Sequence, residues 1–401
     1  MRLPVLFLLL TVAIDAMGIG LILPVMPDLI EEVSGRGLSG AALWGGVLGT
    51  VFAAMQFLFA PLLGALSDTY GRKPILLGTL ALMVVDYAVM GLTHSLVVLL
   101  IARIIGGFAS ATHSTAFAAM ADLSPPKKRS AAFGLIGAAF GLGFVLGPTI
   151  GGLLGEFGTR APFWAAAVLA ALNTILGLAA FPETIKPENR RPFRLREANP
   201  FSAFRIMTRV PGIRRGLAIM FLYHVAFAVY PSVWAFFGHA QFGWSSAIIG
   251  STLGAFGLSF AFVQAGVIRL LLKRFGESGT VVFGLLCAAI AYALIPFLDD
   301  TRTVLALIPL AALGGTFGPA MQGMMSQSLG DDRQGALQGL LTSTAALAAA
   351  VSPIMMTSVF AAFTAPERAE PFPGAPFLVS LGLIVVALTL FLTRAPRHAV
   401  A

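Results

Sequence analysis

Runs of about twenty apolar residues, the length that crosses the hydrocarbon core of a bilayer as a helix, recur along the whole of this chain. They fall near residues 5–24, 42–66, 75–93, 96–118, 130–154, 162–181, 213–237, 246–270, 279–298, 302–327, 334–361 and 374–393, about twelve in all. Backbone polar groups in lipid must be satisfied within their own segment, which makes runs of this length helices. With 57% apolar and 11% charged residues and a mean hydropathy of +0.88, an ordinary soluble domain is excluded. The sequence therefore predicts an all-α integral membrane protein of about twelve transmembrane helices. Met1–Ala13 resembles a signal-peptide core, but Asp15 interrupts it and no convincing small-x-small cleavage site follows. A retained first span is expected.

The net charge of +8 is explained by where the charges lie. If the amino terminus is inside, 21 of the 26 Lys and Arg fall in loops on that side, nine of them between Lys186 and Arg215. The opposite loops hold Arg36, Arg160, Arg302 and Arg368, and Arg103 is intramembrane. This bias predicts cytoplasmic termini and a cell inner (plasma) membrane protein crossing many times, with lipid rather than nucleic acid as its surroundings. The single cysteine, Cys287, offers neither a disulfide nor a thiolate metal cluster, so no metal site of the protein's own is expected.

The longest polar stretch divides the chain into residues 1–181, a linker at 182–212 and residues 213–401. The linker's basic residues and prolines suit a cytoplasmic segment, with room for a helix at the interface. A shift of 205 residues places Gly134 on Gly339, Pro148 on Pro353, and Tyr70-Gly71 on Phe275-Gly276. Agreement at two distant places predicts two pseudo-symmetric six-helix bundles built by duplication. In the second copy Ser352 and Met356 stand where Gly147 and Gly151 are in the first.

A charge at mid-bilayer costs at least ~2.5–3.5 kcal/mol, so Asp15 in the first span, Asp86 in the third and Arg103 in the fourth need a reason. On one helix Arg103, Gly107, Ser110 and Ser114 would form a polar stripe facing an interior cavity, flanked by His113. Two carboxylates facing one guanidinium leave one acid able to load and release a proton. The same residues also suit a buried ion pair that only fixes packing, and His113 a hydrogen-bonded packing role. Gln56 in the second span could reach a substrate; Asn173, Ser259, Gln264, Gln322, Gln338 and Thr342 are similar candidates.

Between the second and third spans lies Gly64-Ala65-Leu66-Ser67-Asp68-Thr69-Tyr70-Gly71-Arg72-Lys73-Pro74. Gly71 permits the reversal, Asp68 can bond exposed helix N–H groups, and Arg72 can pair with Asp122 at the end of the fourth span. Such a cluster can latch the inside closed and part when two halves rock. In the fifth span Gly134, Gly143, Gly147, Pro148, Gly151 and Gly152 recur, and glycines at 143, 147, 151 and 155 line one stripe that a second helix can approach closely. Pro148 weakens that helix in mid-membrane.

The loop resembles the G-x-L-S-D-R-x-G-R-R/K-P signature of the major facilitator superfamily, Arg103-x3-Gly107 its fourth-helix motif, and the glycine pattern its antiporter motif. IDAMGIGLILPVMP (14–27), MQFLFAPLLGALSD (55–68), FGLGFVLGPTIGG (140–152), FGWSS (242–246), PAMQGMMS (319–326) and QGALQGLL (334–341) resemble its proton-coupled tetracycline efflux proteins. The resemblance implies inward-facing capture of a drug as a divalent-metal complex, exported for an incoming proton. It implies that Asp15, Asp86 and Arg103 serve coupling, that Gln56 and His113 sit near the drug path, and that Asp68, Arg72 and Asp122 form the gate; by their own placement Ser110, Ser114, Gln322 and Gln338 are further candidate substrate contacts and Gly71 the turn of the gate. Three positions depart from the family: Phe260 stands where a histidine is usual, Ala289 where an aspartate is, and Thr69 where the loop carries arginine. The expected protein is a monomeric drug:proton antiporter. An enzyme is not expected, since the sequence has no HExxH or GxxxxGK[ST] string; export of another drug or an endogenous metabolite is the alternative.

Overall fold

The computed structural model describes residues 3–125, 129–190, 192–193, 213–327 and 334–393. Among them there is no strand. The first half holds α1 (Leu3–Ile22), α2 (Met26–Ser34), α3 (Leu38–Tyr70), α4 (Arg72–Leu92), α5 (Leu96–Ser110), α6 (Thr112–Leu123), α7 (Arg129–Gly155) and α8 (Ala161–Ala180). The second holds α9 (Ile213–Phe227), α10 (Val229–Phe242), α11 (Ser246–Phe262), α12 (Ile268–Leu294), α13 (Thr301–Leu313), α14 (Phe317–Gln327), α15 (Gln334–Phe363) and α16 (Ala375–Leu392). The interfacial helix expected within 182–212 falls largely outside the described residues.

Eleven stretches are long and apolar enough to cross a membrane. One of them, Ser246–Phe297, runs for 52 residues. As a single helix it would reach ~78 Å, more than twice the hydrocarbon thickness. It is divided at Gly276, whose backbone (φ 65, ψ −176) is not helical, and the passes number twelve. Gly71, 205 positions earlier, has φ 111 and ψ 154. Both glycines occupy a backbone region that side chains essentially exclude, so the reversal between second and third passes recurs between eighth and ninth.

Five passes are interrupted among the described residues, and four of the interruptions obey the same shift; the fifth, a π-helical turn at Val263–Val267 in the eighth pass, has no counterpart in α3. The first pass breaks in a turn at 23–25 and the seventh at Ala228; the fourth breaks at Ala111 and the tenth at Gly314–Thr316. After the first break, α2 lies as a short amphipathic helix held at its end by Gly35 in the left-handed region (φ 62).

The glycine stripe of α7 is a seam with α1. A Cβ on Gly143, Gly147 or Gly151 would stand 2.1, 2.6 and 2.0 Å from the carbonyl oxygens of Ala13, Met17 and Leu21, which are themselves four residues apart. One turn of α7 therefore meets one turn of α1, backbone against backbone. The neighbouring face of α7 meets the other half: a Cβ on Gly152 would lie 2.3 Å from the Ser246 oxygen, and one on Gly250 would lie 2.2 Å from that of Pro148. Across the pseudo-twofold, α15 packs on α3, with Pro353 against Gly49 and Ile354 N–H donating to Thr50 Oγ1 at 3.1 Å.

These joints lie toward the end of the molecule away from the termini. There Ser246 Oγ donates to Asp28 Oδ2 at 3.0 Å and the Ala247 N–H to Glu156 Oε1 at 3.1 Å. Toward the termini the same helices stand apart: Gly134, Gly137 and Gly141 of α7 and Gly339 of α15 have open space where a Cβ would go.

Candidate functional site

Asp86 and Arg103 come together from α4 and α5. They form an ion pair through Arg103 Nη2 and Asp86 Oδ2, with the aspartate side chain 0% and the arginine 5% exposed. Gly106 makes room for it, since a Cβ there would stand 2.5 Å from Asp86 Oδ2. The guanidinium also lies over the Phe52 ring of α3, 5.0 Å from its centroid. The pair is incompletely satisfied, for Asp86 Oδ1 and Arg103 Nε have no hydrogen-bond partner. Asp15, buried on α1, forms no ion pair among the described residues. Of the two carboxylates expected to share Arg103, the structure thus pairs only Asp86.

The polar stripe expected to face a cavity is closed in this conformation. The fourth pass breaks at Ala111, so Ser114 belongs to a different helix from Arg103, Gly107 and Ser110. Gly107 packs on α3, where a Cβ would meet the Phe52 oxygen at 2.4 Å, and Ser114 Oγ donates to Ala60 O at 3.1 Å. Gln56 Nε2 donates to Ser110 O at 3.3 Å, tying α3 to the break. These are contacts between helices of one half: a glycine, the Ser114 hydroxyl and the Ser110 backbone oxygen bring α3 close enough to cover the stripe. His113 lies in the first turn of α6, and its side chain lies outside the described ones.

In the second half Gln322 Nε2 donates to Gln338 Oε1 at 3.0 Å, joining α14 to α15. Asn173 and Gln264 are engaged elsewhere, with Thr11 at 3.2 Å and the Gly315 oxygen at 3.1 Å. Phe260 fills the space beside Gly315 and lies near Phe227 and Phe256, part of an aromatic core that also holds Tyr223, Tyr230 and Trp234. Ala289 packs at the edge of the same core.

The loop cluster assembles around Arg72, the first residue of α4. Its guanidinium bonds Asp68 at 2.5 Å, Ser67 Oγ at 2.6 Å and Asp122 Oδ2 at 3.2 Å. Asp122 also accepts from Thr184 Oγ1 at 3.2 Å. Sequence reasoning missed Glu183, whose carboxylate accepts the N–H groups of Arg72 at 2.8 Å and Lys73 at 3.3 Å. It caps the start of α4, where the helix dipole favours an anion. The available signal was its place in FPET, directly after the sixth span. Ser67, Asp68, Arg72 and Asp122 belong to the first half and Glu183 and Thr184 to the start of the linker, so in this conformation the cluster binds α3, α4, α6 and the segment after α8 to one another. Glu183→Ala should cost about 1 kcal/mol through the lost cap, read as a lowered thermal midpoint in detergent, with Glu183→Gln losing less; an unchanged midpoint for Glu183→Ala would remove Glu183 from this role.

Twelve passes in two repeated sets, broken helices and a buried ion pair define a transporter architecture. The chain belongs to the Major Facilitator Superfamily, which it matches over residues 8–353 and 240–400. It is 39% identical to the tetracycline resistance protein, class C, of Escherichia coli, over 94% of this chain and 93% of that one. Among solved structures it resembles the human organic anion transporter MFSD10 (TETRAN), at 27% identity and a TM-score of 0.70, covering 97% of this chain and 99% of that one. The nucleoside transporter NupG shares the fold, with a TM-score of 0.75 at 13% identity and 98% of each chain covered.

Proposed function

We propose that this transporter exports an amphipathic, tetracycline-like drug as a divalent-metal complex in exchange for protons. The observation that carries this reading is the acid cluster: in a chain similar to tetracycline resistance proteins, Asp15 has no ion-pair partner and Asp86 is only half satisfied by Arg103. A buried carboxylate without a cation is stable in a membrane chiefly when it takes up a proton. Asp15 therefore loads the proton, and the Asp86–Arg103 pair carries its effect to α4 and α5.

Residues 1–181 and 213–401 act as two units that rock about the joint near Ser246 and Pro353, with 182–212 linking them. The open ends of α7 and α15 face the cytoplasm with both termini, in the inner membrane. The Arg72 cluster is the gate on that side: Asp68, 37% exposed, turns from Arg72 toward the other half when the inside closes. The metal arrives with the drug, as part of the substrate, and the carrier works as a monomer. Gln56, His113, Gln322 and Gln338 border the drug's route. Phe260 and Ala289 give the second half an apolar wall, which favours a substrate whose apolar face enters there; another drug or metabolite is the second reading, supported by the likeness to an organic anion transporter.

Expression in a susceptible bacterium should lower tetracycline accumulation several-fold, and a protonophore should restore it. Accumulation equal to that of cells lacking the protein would overturn tetracycline as substrate. Lowered accumulation that a protonophore leaves unchanged would overturn coupling.

A further inference from the structure

Hydrogen-bonding capacity stands unused at one place within the membrane-spanning helices. Four buried side-chain nitrogen and oxygen atoms among the described residues lack a partner, and three of them belong to the Asp86–Arg103 pair and to Tyr87, the residue after Asp86: Asp86 Oδ1, the Tyr87 hydroxyl and Arg103 Nε. Buried polar atoms are otherwise nearly always paired, so three together mark a place that water or a transferred proton enters.

Tyr87 is 3% exposed and reaches from α4 to α1. A Cβ on Gly18 would stand 2.3 Å from its hydroxyl oxygen, so the glycine is what lets the hydroxyl touch the α1 backbone. Gly18 follows Asp15 by one turn, on an adjoining face of α1. Asp86 directly precedes Tyr87 on α4, so the ring joins the helix of one acid to the helix of the other. The hydroxyl thus lies where α4 meets α1, helices that each carry an acid, and no hydrogen bond of its own explains it.

We propose that Tyr87 is the positioning residue for proton transfer between Asp15 and Asp86, its hydroxyl and water joining the two carboxyls in one hydrogen-bonded chain. This rests on the proton-coupled reading above. In one transfer the O–H bond of the Asp15 carboxyl breaks and its proton passes to the bridging oxygen. That oxygen's own proton passes to Asp86 Oδ1, the oxygen that accepts nothing from Arg103. Tyr87 is neutral before and after, Asp15 gains the negative charge that Asp86 loses, and Arg103 is left without its anion. One proton moved therefore loosens α4 from α5.

Tyr87→Phe removes the hydroxyl and keeps the ring. With the full-length protein in liposomes and tetracycline plus Mg2+ as the probe, uptake driven by a pH gradient is compared with gradient-free exchange of internal for external tetracycline. Gradient-driven uptake should fall at least about tenfold with its pH profile displaced, while exchange stays within about twofold of wild type. The thermal midpoint should hold or rise, because removing an unpaired hydroxyl leaves nothing newly unsatisfied. Gly18→Ala, whose methyl would take the hydroxyl's place, should give the same split. Wild-type gradient-driven uptake in Tyr87→Phe, with an unmoved pH profile, overturns the proposal. So does a parallel loss of exchange and thermal stability, which would make the hydroxyl a packing group. Wild-type protein that lacks gradient-driven uptake overturns the exporter reading itself, and this inference with it.

Discussion

Asp86→Asn should destabilise the protein by about 3 kcal/mol, and adding Arg103→Gln should recover most of that loss without recovering coupled transport. The reason lies in the burial of the pair. With Asp86 neutralised, the Arg103 guanidinium is left without a counter-charge at 5% exposure, its Nε already unpartnered. Breaking a buried pair by removing one partner typically costs ~3–5 kcal/mol, whereas replacing both is often nearly neutral. The Phe52 ring offers the cation a partial substitute, which places the cost at the lower end. Thermal unfolding in detergent reads the first effect, and gradient-driven uptake the second. A double variant no more stable than Asp86→Asn would show that Arg103 finds another partner. A double variant that transports against a pH gradient would show that the pair serves packing alone.

Neighbouring glycines on α7 should fail in different ways. In Gly151→Val the new side chain meets the backbone of α1, where a Cβ would already be 2.0 Å from the Leu21 oxygen. Backbone cannot yield as a flexible side chain does, so the helices of one half must separate, at a cost of at least ~1–3 kcal/mol. In Gly152→Val the obstruction belongs to the other half, at Ser246 and Gly250. That half can move away as a body, so the protein keeps its stability but cannot close the end away from the termini. Cysteine pairs across the Ala247–Glu156 joint should cross-link in the parent and in Gly151→Val protein that remains folded, and lose cross-linking in Gly152→Val. Equal cross-linking in Gly152→Val and parent would contradict the assignment of that face to the joint between halves.

How much of this was legible beforehand follows from the range of each interaction. The spans were legible because burial in lipid depends on local composition, and the bounds of α3, α4 and α8 lie within a few residues of those expected. Gly71 and Gly276 were legible as a repeated reversal because a turn that excludes side chains leaves a glycine behind. The break at Ala111 left no such trace: Ser110-Ala111-Thr112 contains neither glycine nor proline, and only its counterpart at Gly314-Gly315 hinted at it. That break, together with the close approach of α3, is why the Arg103–Ser114 stripe is covered rather than open. Asp86 winning Arg103 over Asp15 depends on how α1, α4 and α5 pack, which no spacing within one helix records. Glu183 acts on Arg72 from 111 residues away, and Tyr87 matters through the absence of a side chain at Gly18. Short-range patterns gave Tyr87 no signal, and Glu183 only its place in FPET after the sixth span.

The central claim is that the intramembrane acids of the first half couple proton movement to export. Its most direct test is proton release from inside-out vesicles acidified within, followed by a pH dye when tetracycline and Mg2+ are added. Wild-type vesicles should release protons promptly and Asp15→Asn vesicles none, with the variant protein present at equal level and thermal midpoint. Release from Asp15→Asn at the wild-type rate would contradict that claim.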